Sequence, residues 1–332
     1  MISSMMRRMA VLGLVATALL PGAAQAQKKL VVYTSNENTL NDLVFGAFTK
    51  ETGIAVEPVV AGSGVVVRRL QAEKDRPLGD IIWGVSRSLL QTNKALLAPY
   101  ASKNKDAIPV EYRDPTDLWI GNNLHLLVIL QNTKILPADQ GPKGWSDLLD
   151  PKWKGKIMWI DPRTSGFTAG PMTAIRLKYG EDTVKRLLVD QQPAFSRDNR
   201  QITEGLLRGT YALATGVTQP VLDQFLQQGL GKNVKFVDIV DFATTGSGDG
   251  LWMMNRAPHP NATKLFVNWA LTKAGQESYS KTVAGNSRRA DVAPATPERL
   301  PRQGQTYFRN LESTVPEVVK TRAFIATLLG NA

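Results

Sequence analysis

The chain has 332 residues, 43% of them hydrophobic, with 40 Lys and Arg against 29 Asp and Glu, a formal charge of +11 and no cysteine. That length can bury a large core, and the missing thiols exclude disulfides, thiolate metal sites and cysteine nucleophiles together. The basic residues are scattered, in nothing longer than pairs such as Arg68-Arg69 and Arg288-Arg289, so no arginine-rich arm points to nucleic acid; the positive balance serves either solubility or the attraction of anions.

The first residues read as an export signal. Arg7 and Arg8 precede the apolar run "MAVLGLVATALL", and Pro21, Gly22 and "AQA" follow, ending at Ala26. A positive start, a short apolar stretch and a small-residue site are the parts of a cleavable signal peptide over residues 1–26, cut between Ala26 and Gln27. The apolar run falls short of the roughly 20 residues a membrane span needs. No cysteine follows it, so a lipid anchor is not expected. Cleavage leaves about 306 of the 332 residues, with a charge of +9, in a bacterial periplasm.

Strand-like and helix-like runs then alternate. "KLVVYT" is a β-branched strand, and "NTLNDLVFGAFTKETG" is a helix with Leu40, Leu43, Val44 and Phe48 at helical spacing and Gly53 as its stop. "IAVEPVVAG" is a strand, Val65 to Glu73 a helix, "GDIIWGVS" a strand and "SLLQTNKALLAPY" a helix. "LHLLVILQN" reads as a strand that carries the chain into a second lobe. There the strands are "GKIMWID", "YALATGV" and "VKFVDIV". The helices are "TAGPMTAIRLKYG" with Pro171, "EDTVKRLLVDQQ", "RQITEGLLRG" and "QPVLDQFLQQG" with Pro220 in its first turn. "GDGLWMMN" reads as the return crossing. Helices around "NATKLFVNWALT", "AGQESYSKTV" and "PEVVKTRAFIATLL" are expected to pack back on the first lobe. The alternation predicts an α/β fold of mostly parallel sheets flanked by helices. Residues 27–127 with 253–332 would form lobe 1, and 128–252 lobe 2, with a two-strand hinge and a ligand cleft between them.

Parallel sheets present their functional turns at the carboxyl ends of strands. Here those turns share small and hydroxylated residues: Thr34, Ser35 and Glu37; Ser63 and Gly64; Gly84 and Ser86; Thr164, Ser165 and Gly166; Gly216 and Thr218. Ser and Thr cap helices whether or not a ligand is present. Hydroxyls and amides grouped around one cleft would also cradle an anion. Arg197, between a strand and a helix, would add a charge-assisted contact, and Arg68 and Asp249 are secondary candidates. The chain has two histidines. His125 sits in an apolar run and His259 between two prolines, neither beside a nucleophile or in a metal-ligand spacing such as H-E-x-x-H, so a hydrolase in the same cleft is the weaker reading.

"GWSDLLDPKWKGKIMWIDPRTSG", "HPNATKLFVNWALTKAGQE" and "NSRRADV" resemble periplasmic solute-binding proteins of ABC importers, in the group that binds ferric ion, phosphonates and sugar phosphates. The resemblance implies a type II periplasmic-binding-protein fold, capture of a small solute without catalysis, delivery to an inner-membrane permease, and a monomer with no cofactor. Iron-binding members use adjacent tyrosines in the second lobe and a histidine after the first strand. "VVYTSNE" puts Glu37 where that histidine would fall, and no Tyr-Tyr pair exists in the chain. An oxyanion such as a phosphonate, phosphate ester or carboxylate therefore fits better than tyrosine-held iron. Ferric binding by another ligand set, or together with an anion, stays open.

Overall fold

A computed structural model describes residues 29–124, 126–244, 250–309 and 312–330. The signal segment 1–26, His125 and Asp249 lie outside the described residues. Among the described residues no helix is long and apolar enough to cross a membrane.

Lys29–Thr34 (β1) is buried on both faces because β-branched and apolar side chains run through it without a polar interruption. Successive side chains point to opposite sides. Leu30 and Val32 join a core with Phe45 and Phe48 of Asn38–Thr52 (α1), while Val31 and Tyr33 join one with Val66 and Leu70 of Ser63–Ala72 (α2). β1 pairs in parallel with Ala55–Val60 (β2) on one side and Ile81–Trp83 (β3) on the other. Gly250–Met254 (β13, numbered in chain order) runs antiparallel against β3, and against the short strands Leu97–Ala98 (β4) and Trp119–Gly121 (β5). The strand order is β2-β1-β3-β13-β4, with β5 also on β13. Pro260–Ala270 (α8) and Lys273–Val283 (α9) complete this core. Phe48, fully buried, meets Phe266 and Trp269 edge-on at 5.0 and 5.2 Å, a side chain whose burial contributes about 1.5–3 kcal/mol.

The second sheet has the order β11-β7-β10-β8-β9, with Ile129–Asn132 as β7, Ile157–Ile160 as β8, Ala194–Ser196 as β9, Leu213–Thr215 as β10 and Val234–Phe236 as β11. β8, β9 and β10 are parallel, and β7 is antiparallel to both neighbours. Its faces carry Gly166–Tyr179 (α4), Glu181–Lys185 (α5), Asn199–Leu207 (α6) and Gln219–Gln227 (α7). Each lobe is thus a mostly parallel sheet between helices, the two-lobed α/β architecture that the alternation predicts.

Four details depart from expectation. The run "SLLQTNKALLAPY" is α-helical only over Arg87–Gln91 (α3), with a single 3-10 turn at Lys94–Leu96. Thr92 and Asn93 bond back to the Leu89 carbonyl, so their side chains end the helix and free Leu97 and Ala98 to pair with β13. "LHLLVILQN" is not one strand. Asn123–Leu124 (β6) pairs with Asn286–Ser287 (β14) and only Ile129–Asn132 joins the second sheet. β13 is itself a central strand of the first sheet, so that sheet resumes at Gly250, before the expected boundary at 253. Finally, Val315–Leu329 (α10) does not pack on the first lobe alone: it lies against α3 there and also against α4 of the second lobe. Its Ile325 belongs to the second core with Ile175 and Leu187, and Thr321 and Glu317 bind Arg176 of α4.

Candidate functional site

Because β1, β2 and β3 are parallel neighbours, their carboxyl-end turns lie side by side. The Ser35 and Ser63 hydroxyls are 3.1 Å apart, Ser35 also donates to the Gly84 carbonyl, and the Ser86 N–H donates to Ser63 Oγ at 3.1 Å. Ser86 Oγ is 3.0 Å from Ser88 Oγ. Three serines predicted from separate turns therefore form one connected group, which Ser86 joins through its N–H. Gly84 makes the close approach possible. Its φ is +72°, and a Cβ there would stand 2.3 Å from the Asn36 side chain.

Two predicted members of this edge do other work. Thr34 is fully buried and its hydroxyl accepts the Asn36 N–H at 3.0 Å, so it shapes the loop. Glu37 is the N-cap of α1, accepting from the Leu40 N–H at 3.0 Å. Burial raises its pKa, and the bonds from Thr39 and Leu40 only partly offset that. Gly64 lies in the first turn of α2, where a Cβ would approach the exposed Arg68 at 3.7 Å.

On the opposite side, the turns after β8, β9 and β10 are likewise adjacent. Asp161, 4% exposed at its side chain, follows β8 and receives both Nε and Nη2 of Arg163 at 2.9 Å. Arg197 Nε lies 3.6 Å from the same carboxylate, although 61% of that side chain is exposed. Burial works against the charge on Asp161, but the Arg163 bonds outweigh it, with attraction from Arg197, and hold the carboxyl below its ordinary value. Thr164 and Ser165 donate their N–H groups to the Asp161 carbonyl at 3.2 and 2.9 Å. Those two amides close the turn, so the expectation that they remain free for an anion is corrected. Gly166 starts α4.

After β10 comes Gly216, at φ +81° and against Ile160, then Thr218 at the N-cap of α7. Thr218 makes no side-chain cap bond, and its Oγ1 is buried with no hydrogen-bond partner among the described residues. Thr215 Oγ1 and Asn199 Oδ1 are likewise buried with no partner among the described residues. The two edges touch. Gly62 comes within contact of the Thr164 carbonyl, 3.8 Å from where a Cβ would stand, and Gln224 of α7 donates to Thr39 of α1 at 3.2 Å. The cleft thus has a hydroxyl-rich wall and a wall of paired charges and unpartnered acceptors and donors. Such surfaces hold small polar groups through many short bonds.

A profile of bacterial extracellular solute-binding proteins matches residues 77–306, more than half of the chain. The chain belongs to that family. This solute-binding protein is 27% identical over 303 residues to a candidate 2-aminoethylphosphonate-binding periplasmic protein of Salmonella typhimurium, covering 87% of this chain and 86% of the relative. It is 26% identical over 266 residues to the Fe(3+)-binding periplasmic protein of Serratia marcescens, covering 77% of each. Among solved structures, iron-bound HitA from Pseudomonas aeruginosa superposes with a TM-score of 0.77 at 20% identity over 91% of this chain and 99% of that one. The binding protein AfuA from Actinobacillus pleuropneumoniae, with fructose-6-phosphate bound, gives 0.77 at 22% over 92% and 99%. At these identities the superpositions speak to the fold, which is that of periplasmic binding proteins.

Several residues escaped the sequence reading. Asp161 and Arg163 stand in plain view in "IDPRTSG", and an acid two residues before an arginine at a strand end is a usable signal. Thr215 and Asn199 carry no such mark. Arg322 carries one. Val318, Arg322 and Ile325 follow helical spacing, which sets an arginine on the apolar side of α10.

Proposed function

We propose that this protein is the periplasmic solute-binding component of an ABC importer. It is exported by a signal peptide, captures a small anionic solute between its lobes without catalysis, and hands it to a permease in the closed form. The solute class is a phosphonate, phosphate ester or carboxylate. One observation carries the reading: Ser63, from one strand end, is within hydrogen-bond distance of the Ser35 hydroxyl and the Ser86 N–H from two others, opposite the β8–α4 turn. Ser63, Ser86, Thr164, Ser165 and Thr218 are the proposed ligand-binding set, with Arg197 at the rim.

The tyrosines favour an anion over tyrosine-held iron. Tyr179 donates to Asp241 at 2.5 Å, and burial followed by that bond pushes its pKa up to about 12, which disfavours a phenolate. Tyr211 precedes β10, at the end of the strand away from Gly216. The phosphonate-binding name of a relative at 27% identity agrees with this choice.

Binding to the closed form alone stabilises it by mass action. The test is thermal denaturation of the exported chain with 2-aminoethylphosphonate, glycerol 3-phosphate, citrate and ferric citrate, followed by calorimetry. A raised melting temperature with a phosphonate, phosphate ester or carboxylate and unchanged solute on recovery supports the proposal. Stabilisation by ferric ion alone, or conversion of the solute, overturns it.

A further inference from the structure

Helix α10 is fastened to the second lobe at its middle and at its C-terminal end. Arg176 donates to Thr321 at 2.8 Å and Arg163 donates to the Leu329 carbonyl at 3.3 Å. Between these points Arg322 turns toward the first lobe, where its Nη2 donates to Ser86 Oγ at 3.4 Å. Its Nε is buried and has no hydrogen-bond partner among the described residues. No described carboxylate pairs with it either, whereas the similarly withdrawn Arg163, Arg176 and Arg289 each hold one.

Taking a guanidinium from water without a counter-charge is costly, and a paired anion offsets that cost. Burial accordingly lowers the hold of Arg322 on its proton. The planar fork matches the oxygens of a phosphonate, phosphate or carboxylate, and a hydrogen bond between charged groups is about twice as strong as a neutral one. Ser86 already touches both the fork and, through its N–H, Ser63.

We propose that Arg322, on the C-terminal helix, is the cationic anchor for the anionic group of the solute, acting together with the Ser86 and Ser63 hydroxyls. The assignment rests on the anion-binding reading above and adds to it the residue that supplies the charge. It also gives α10 a role in closure. An anion on Arg322 and Ser86 ties a helix fixed to the second lobe to the edge of the first.

The experiment is calorimetry of wild type, R322Q, R322K and S86A with 2-aminoethylphosphonate, glycerol 3-phosphate and citrate, with circular dichroism to confirm folding. For the solute that wild type binds, R322Q should weaken affinity by about tenfold or more. R322K, which keeps charge but not the fork, should recover part of it. With 2-aminoethylphosphonate, wild-type affinity should rise with pH as the phosphonate loses its second proton, and R322Q should flatten that rise, which a packing defect would not do. If wild type binds an anion and R322Q binds it equally well or more tightly, Arg322 is a latch between lobes and the assignment fails while the anion-binding function stands. If wild type binds none of the three, both fall. Should R322Q not fold, R322K and S86A decide by the same measurement, and wild-type affinity in both overturns the assignment.

Discussion

The two walls of the cleft solve the same geometric problem differently. On the first lobe, Ser35, Ser63 and Ser86 are already bonded to one another and to the backbone. On the second, Asp161 neutralises Arg163 and draws on Arg197, while the hydroxyls of Thr215 and Thr218 are buried without partners among the described residues. One wall is set by its own hydrogen bonds. The other holds unmet capacity, and an unmet buried polar atom costs about 1–3 kcal/mol until something satisfies it. The contrast implies that the first lobe orients a solute with little rearrangement, and that the second gains more from its arrival.

The glycines after β3 and β10 give the largest expected difference. Both have positive φ, which costs a residue with a Cβ about 1–2 kcal/mol. At Gly216 the new Cβ would stand 2.7 Å from Ile160 Cβ, an atom fixed to the neighbouring strand. At Gly84 it would meet the end of the Asn36 side chain, which can swing aside. Gly216→Ala should therefore lower stability by about 3–5 kcal/mol once overpacking is added, and Gly84→Ala by about 2 kcal/mol. Urea denaturation of both variants measures this, and equal losses would mean that the two turns are equally pliable.

Asp161 separates charge from scaffold. Asp161→Asn removes the counter-charge of Arg163 and should cost about 2–3 kcal/mol, a range set by charge-assisted hydrogen bonds in a partly solvated pair. The folded-state pKa of Asp161 lies below its ordinary value of 3.8, so the stabilisation it provides is present above that value and is lost as pH falls through the folded one. The gap between wild type and variant should close in acid, as denaturation followed from neutral to acid pH would record. At neutral pH the variant should bind the anion more tightly, because Arg163 and Arg197 no longer share a fixed carboxylate. Weaker binding by a folded Asp161→Asn would place Asp161 among the solute contacts instead.

The fold was legible because its signals are periodic. β1 alternates its apolar residues between two cores, and Leu40, Val44 and Phe48 mark one face of α1. The small and hydroxylated turns could be read for the same reason, since every parallel strand ends at the same edge. Pairings across long sequence separations were not legible. Nothing in "AFIATLL" says that α10 lies against the second lobe as well as the first, because an apolar helical face fits either core. Asn93 ends α3 through a local bond to the Leu89 carbonyl, which competes with helix continuation and leaves no periodic trace. Arg322 was visible only as a charge on the wrong side of an amphipathic helix. Its meaning needs the position of Ser86, 236 residues away in sequence.

Ser63→Ala and Thr218→Val test the difference between the walls directly. The Ser63 hydroxyl accepts the Ser86 N–H, so its removal leaves a buried donor unmet and should cost about 1–2 kcal/mol of stability along with affinity. The Thr218 hydroxyl has no partner among the described residues, so Val at that position should leave stability unchanged or raise it by up to about 1 kcal/mol. Affinity should still fall, by about tenfold, if that hydroxyl meets a charged solute. Thermal denaturation and calorimetry on both variants give the two numbers needed. Parallel losses of stability would erase the contrast.

The smallest effect concerns Glu37, whose carboxylate is held in the first wall at some cost. Its folded-state pKa is raised, with burial the leading cause. A raised acid pKa means that the folded chain binds that proton more tightly than the unfolded chain, so the group's contribution grows less favourable as pH rises from the ordinary value of 4.5 through the folded one. Glu37→Gln keeps an oxygen to accept from Leu40 and removes the charge. It should raise the melting temperature slightly at neutral pH, and the gain should vanish in acid, where wild type is protonated in both states. A lower melting temperature for Glu37→Gln at neutral pH would mean that the ionised cap and the positive end of α1 outweigh the loss of solvent. The first wall would then hold a net favourable charge, and the contrast with Asp161 would narrow to the arginines alone.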